Sequence, residues 1–147
     1  MRYRVRNCKS KRLKRVIGTA LEFYAKKLMH NNLHRNLFVE VRLDKMRSDE
    51  YAECYPTNTD NKKPRKFVIR IKDDAKKPLL ALSHEMIHVK QYAKQELCLY
   101  HSKWKNTIVR ESTPYSELPW EKQAYKLDYF LYKDFKESFK TAFSGYK

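Results

Sequence analysis

One pentad limits what this chain of 147 residues can fold into: His84-Glu85-Met86-Ile87-His88. On a helix, residues four apart lie one turn above each other, so both imidazoles project from the same face. Two nitrogen donors on one rigid turn are half of a tetrahedral zinc site, and Glu85 stands beside them to take a proton from metal-bound water. The competing reading makes both histidines hydrogen-bonded core residues. The surroundings favour the metal. At helical spacing Leu82, Met86, Val89, Ala93 and Leu97 share one stripe, Leu80 and Ile87 widen it, and His84, His88 and Gln91 fall on the opposite side. Only Ser83, Lys90 and Lys94 line a polar strip, so the helix is buried nearly all round, and buried imidazoles need partners.

Charged residues make up 34% of the chain and hydrophobic ones 41%, which reads as one globular domain over 1–147 with a polar exterior. Cys8, Cys54 and Cys98 are odd in number, far apart and free of any CxxC pattern, the mark of reduced thiols in an intracellular protein. No apolar run approaches the length needed to span a bilayer, so no membrane role is expected. The start, Arg2-Tyr3-Arg4-Val5-Arg6, lacks the apolar centre of a secretory signal, although its acid-free character mimics an organellar transit peptide.

The net charge of +16 is the second constraint, with eight basic residues from Arg2 to Arg15 before the first acid at Glu22. A second cluster is Lys62, Lys63, Arg65 and Lys66, followed by Arg70 and Lys72. A field of this size attracts polyanions, so the basic segments are candidates for non-specific nucleic-acid contact in the cytoplasm or nucleoid. The other reading is a solvated surface. No base-reading motif accompanies the charge.

Ser10 caps a predicted helix over 11–29, and Asn31-Asn32 ends it. Leu37, Val39, Val41 and Leu43 alternate with Glu40 and Arg42 as a half-buried strand. Residues 51–55 and 67–71 read as further strands around a polar loop, and 105–110 as a fourth. Asp73-Asp74 and Pro78 suit the entry to the pentad helix, with acids at the positive end of its dipole. Ser116 and Pro119 open a last helix running to about 143, which places Glu121, Asp128, Tyr132, Phe135 and Phe139 on one face.

A catalytic zinc needs three protein ligands and one open position. Glu121 is one candidate for the third, because the small Ala124 lets its helix approach the pentad helix closely. His101 is the other, unless it is an ordinary surface histidine. Asp128, two turns beyond Glu121, would accept a hydrogen bond from a ligating imidazole, or else be exposed. Tyr115, Tyr125 and Tyr129 are conceivable hydroxyl donors to a developing oxyanion, but packing is their usual task, and none is assigned a catalytic part.

The pentad followed by Glu121-Lys122-Gln123-Ala124 resembles the HExxH…ExxA arrangement of gluzincin-type metallopeptidases, including the small ImmA/IrrE-type domains. The resemblance implies His84, His88 and Glu121 as zinc ligands and Glu85 as the general base. It also implies an α+β zincin-like fold: a small, twisted, mostly antiparallel sheet packed against a long N-terminal helix, the HExxH helix and a C-terminal helix. Leu82 to His88 is also similar to SprT-like proteases, in which a later histidine completes the site. That match selects His101, with Ser102 where those proteases usually carry glycine. Glu121 is the favoured third ligand. The implied function is zinc-dependent hydrolysis of protein or peptide substrates, and the SprT-like similarity adds proteins held on nucleic acid as a candidate substrate class. The alternatives are a basic nucleic-acid-binding module with a structural or vestigial zinc, and an interaction protein with core histidines. Glu85 discriminates, since a structural site has no use for a carboxylate beside a ligand.

Overall fold

The alternating stretch Phe38–Asp44 forms β2, which buries Val39, Val41 and Leu43 on one face and leaves Phe38, Glu40, Arg42 and Asp44 half-buried on the other. β4 (Lys66–Lys72) buries Phe67, Ile69 and Ile71 in the same manner and runs parallel to β2, Phe38 opposite Lys66 and Asp44 opposite Lys72. The computed structural model describes residues 1–57, 63–98 and 102–145. β1 (Arg2–Arg6) lies parallel to β2 at one edge, and β3 (Ala52–Pro56) lies antiparallel to β4 at the other, giving the order β1-β2-β4-β3.

The fold is α+β with the expected three long helices. Its sheet is mixed, with two parallel pairings and one antiparallel, where a mostly antiparallel one was expected. The reason is the N-terminal segment. The arginines of Arg2–Arg6 suggest a tail, and only Val5 is buried, yet backbone pairing makes this segment a strand. Helix α1 (Lys11–Leu28) then acts as a crossover, and a crossover returns the chain in the parallel sense. A Cβ at Gly18 would collide with the Tyr3 ring, so the glycine lets β1 settle on α1.

Ser10 caps α1 by accepting a hydrogen bond from the Leu13 N–H at 3.1 Å. Val16, Ile17, Ala20, Leu21 and Tyr24 are buried, and the Tyr24 hydroxyl donates to the Leu79 carbonyl at 2.9 Å, tying α1 to the next long helix. After the short α2 (Asn31–His34) and the strands comes α3 (Pro78–Ala93), buried along almost its whole length. Pro78 is tolerated at its start because the first helical N–H has no partner to lose. The acids do not flank it as expected: the first turn holds no acidic residue, and the Asp73 N–H is bound to the Asp44 carbonyl in the preceding turn.

β5 (Leu97–Cys98), β6 (Lys103–Trp104) and β7 (Thr107–Ile108) form a small antiparallel meander. The strand expected over 105–110 is instead a hairpin, because Lys105 and Asn106 both take positive φ (48° and 69°) and reverse the chain between Trp104 and Thr107. A 3₁₀ turn (Tyr115–Glu117) contains Ser116, so α4 (Pro119–Ser138) begins beyond the expected cap and ends short of 143. Phe139 and Phe143 still pack beneath it against Phe135. Among the described residues, no helix is long and apolar enough to cross a membrane.

Candidate metal centre

α3 carries His84 and His88 one turn apart, with ring centroids 4.9 Å apart and planes at 81°. The first turn of α4 presents Glu121 to both rings. Its Oε1 lies 3.0 Å from His84 Nε2, and its Oε2 lies 3.0 Å from His88 Nε2. The three side chains are buried, and one donor atom from each lies within 4.8 Å of the others. Ala124, fully buried one turn after Glu121, is what allows α4 to lie this close to α3. Ser83, expected on a polar strip, is fully buried instead, and its hydroxyl donates to the carbonyls of Leu80 and Asp128, pinning the two helices together.

The far side of each ring is also occupied. Asp128 Oδ2 lies 3.0 Å from His84 Nδ1, and Gln91 Oε1 lies 2.8 Å from His88 Nδ1. The orientation of the Gln91 amide is fixed by its other end, where Nε2 donates to the Trp120 carbonyl and to Gln123 Oε1, each at 3.0 Å. Gln123 Oε1 is held as an acceptor by the Lys90 ammonium at 3.3 Å. The Nδ1 position of each imidazole therefore carries the proton. A neutral ring has only one N–H, so each Nε2 lone pair would point at a carboxylate oxygen. Only a cation between them, or a second proton on each ring, makes that arrangement favourable.

Without metal, the second proton is what the electrostatics provide. Burial opposes charge on His84, but the hydrogen bonds to Asp128 and Glu121 outweigh it and raise its pKa to about 9. His88 is raised for the same reasons, with Glu121 the strongest partner opposing its burial. Burial would raise Glu121, yet bonds from His84, His88 and the Tyr115 hydroxyl (2.8 Å) hold it far below the usual carboxylate range. A dication placed among the three replaces those protons. Two imidazole nitrogens and a carboxylate oxygen on rigid helices suit zinc, which takes such donors readily and leaves a fourth place open.

His84, His88 and Glu121 form a cluster that can hold a metal ion, with the donor set of a gluzincin-type zinc site. No family model, curated protein or solved structure matches the chain. The likeness to gluzincins is thus carried by the donor set and the helices that present it. Such a donor set supports metal-activated, enzyme-like hydrolytic chemistry.

His101, the other candidate ligand, lies outside the described residues. Of the three tyrosines, Tyr115 is spent on Glu121, the Tyr125 ring lies 4.5 Å from that of His84, and Tyr129 pairs with Tyr132. Sequence reasoning missed Gln91 as the partner of His88. The signal was its place on the histidine face, three residues after His88.

Proposed function

We propose that this protein is a zinc-dependent metallopeptidase in which Glu85 is the general base. The observation that carries the reading is the Glu85 carboxyl itself. It is 5% exposed, makes no hydrogen bond or ion pair among the described residues, and faces two cavities beside the metal cluster. Burial raises its pKa to about 7, so it both accepts and releases a proton near neutrality.

When bound, zinc lowers the pKa of a water towards about 7 and polarises a carbonyl oxygen as a Lewis acid. With the metal held by His84, His88 and Glu121, Glu85 would serve as the base that takes a proton from the attacking water and returns it to the leaving amine. Asp128 and Gln91 keep the ligating rings in the Nδ1–H tautomer, and Tyr115 holds the Glu121 carboxylate in place. Elemental analysis and hydrolysis of an unbiased peptide mixture test these roles. Glu85→Gln is expected to keep stoichiometric zinc and lose about 10²- to 10⁴-fold in rate. His84→Ala is expected to lose the metal, and metal retained in that variant refutes the ligand assignment.

Two finer points belong to the same reading. Exposed Arg2, Arg4, Lys9, Lys11 and Lys14 spread positive charge over β1 and the start of α1, which supports non-specific contact with nucleic acid and substrates held there. Steeply salt-dependent retention on DNA of unrelated sequences checks this. The free thiols Cys8, Cys54 and Cys98 support a reducing, intracellular setting.

A further inference from the structure

The larger cavity at the metal cluster has a lining at odds with the rest of the molecule. It encloses about 480 Å³ beside His84, between the β2–β3 connection, β3, α3 and the Tyr115 turn. The chain carries 33 Lys and Arg against 17 Asp and Glu. Yet the acidic residues of this lining are Asp49, Glu50, Glu53, Glu85 and Asp128, its one basic group is His84 of the cluster, and it holds no lysine or arginine. Tyr51, Tyr115 and Tyr125 add three aromatic rings, and Met46, Ala52, Leu80 and Ala81 supply the apolar remainder of the walls.

These carboxylates are not a second metal site. Among the described residues, the only group of His, Cys, Asp or Glu close enough to share an ion is His84, His88 and Glu121. Their charges are unequally spent. Glu53 is offset by Arg70 at 2.6 Å, and Asp128 faces His84. Glu50 meets only the backbone N–H of Arg47, and Asp49 has no partner among the described residues. The buried, unpartnered Glu85 faces the same space. Spread carboxylates between aromatic faces suit an organic cation on a flexible stem, through charge-assisted hydrogen bonds and cation–π contact. The smaller cavity beside His88 is different. It shares Glu53, Glu85 and Tyr115 with the larger one and adds Glu121, Tyr92, Leu97 and Trp120, whereas Asp49, Glu50 and Asp128 line only the larger.

We infer that the larger cavity takes a lysine or arginine side chain of the substrate, next to the bond that is cut, with Asp49 and Glu50 as the selecting residues. This rests on the peptidase reading above and adds a substrate class to it. Acidic residues at that substrate position are excluded by like charge. The net positive charge of the chain disfavours such a substrate over much of the exterior, and the acidic mouth orients its approach.

Two measurements on the full-length, zinc-loaded protein test the assignment. In the first, a diverse peptide mixture is digested and the cut sites are read by mass spectrometry; lysine or arginine is expected beside the cut bond. The double variant Asp49→Asn/Glu50→Gln, with zinc content unchanged, is expected to lose about tenfold to a hundredfold in kcat/KM on an arginine peptide. On the matched glutamine peptide it should stay within about twofold of wild type. In the second, the Glu85→Gln variant is titrated with the same peptides. The arginine peptide should bind about tenfold more tightly, and added salt should close the gap. Cut sites indifferent to charge, or equal losses on both peptides, overturn the inference and leave the peptidase reading intact. Charge-selective binding without cleavage by the wild type overturns the peptidase reading and keeps the cavity assignment. Neither cleavage nor binding overturns both.

Discussion

A single amide decides which nitrogen of His88 is available. Gln91 could present either end to the ring, but Lys90 holds Gln123 Oε1 as an acceptor, Gln123 then takes the Gln91 N–H, and the Gln91 oxygen is left for His88. Gln91→Leu keeps most of the volume and removes that acceptor. Zinc affinity, measured by chelator competition, should fall about 10- to 100-fold, as it does when outer partners of ligating histidines are lost. Asp128→Asn keeps an acceptor for His84 and loses only the charge, so its loss should be smaller than that of Asp128→Leu.

At the scale of elements, the site is a contact between two helices from distant parts of the chain. Ala124 sits fully buried where they meet, and Ser83 bonds across to α4. Ala124→Leu should force the helices apart, costing about 1–3 kcal/mol in denaturant unfolding. It should also weaken zinc binding, because Glu121 moves with α4. Tyr24→Phe is the control. It removes the α1–α3 hydrogen bond, should cost about 1 kcal/mol, and should leave zinc affinity unchanged, since the metal donors lie elsewhere on α3 and on α4. Equal effects of the two variants on zinc would mean that the site responds to overall stability rather than to helix spacing.

For the whole molecule, the cluster couples stability to pH. In metal-free protein the folded pKa of His84 is raised from 6.5 to about 9. Its contribution is therefore complete below pH 6.5 and lost as pH rises through about 9. Glu121 is depressed, so its share is present above its ordinary 4.5 and disappears only in stronger acid. Thermal midpoints of chelator-treated protein should fall between pH 6.5 and 9. The zinc-loaded protein should show no such fall, because the ion stands where the protons were. Zinc uptake at neutral pH should release protons, seen as a calorimetric enthalpy that varies with the buffer. Proton release absent in every buffer would contradict the doubly protonated, metal-free cluster.

The local parts of this enzyme follow from the sequence read alone. The pentad sets its imidazoles on one helical face by the period of the helix, Ser10 starts α1, and strict alternation marks β2. Helical spacing also places Glu121 and Asp128 on one face of the last helix, and the resemblance to the HExxH…ExxA arrangement implies Glu121 as a ligand, while for Asp128 the spacing leaves an exposed carboxylate as the alternative. Such features depend on residues within a turn or two of each other. The tertiary structure decided the rest. Arg2–Arg6 is a strand only because β2 offers it a pairing edge, and that edge also makes the sheet mixed. The direction of the Gln91 amide depends on α4, and the acidic mouth brings Asp49 and Glu50 to residues of α3 and α4. Hydrogen-bond direction and shared cavities are properties of groups far apart in the chain, and no periodicity encodes them.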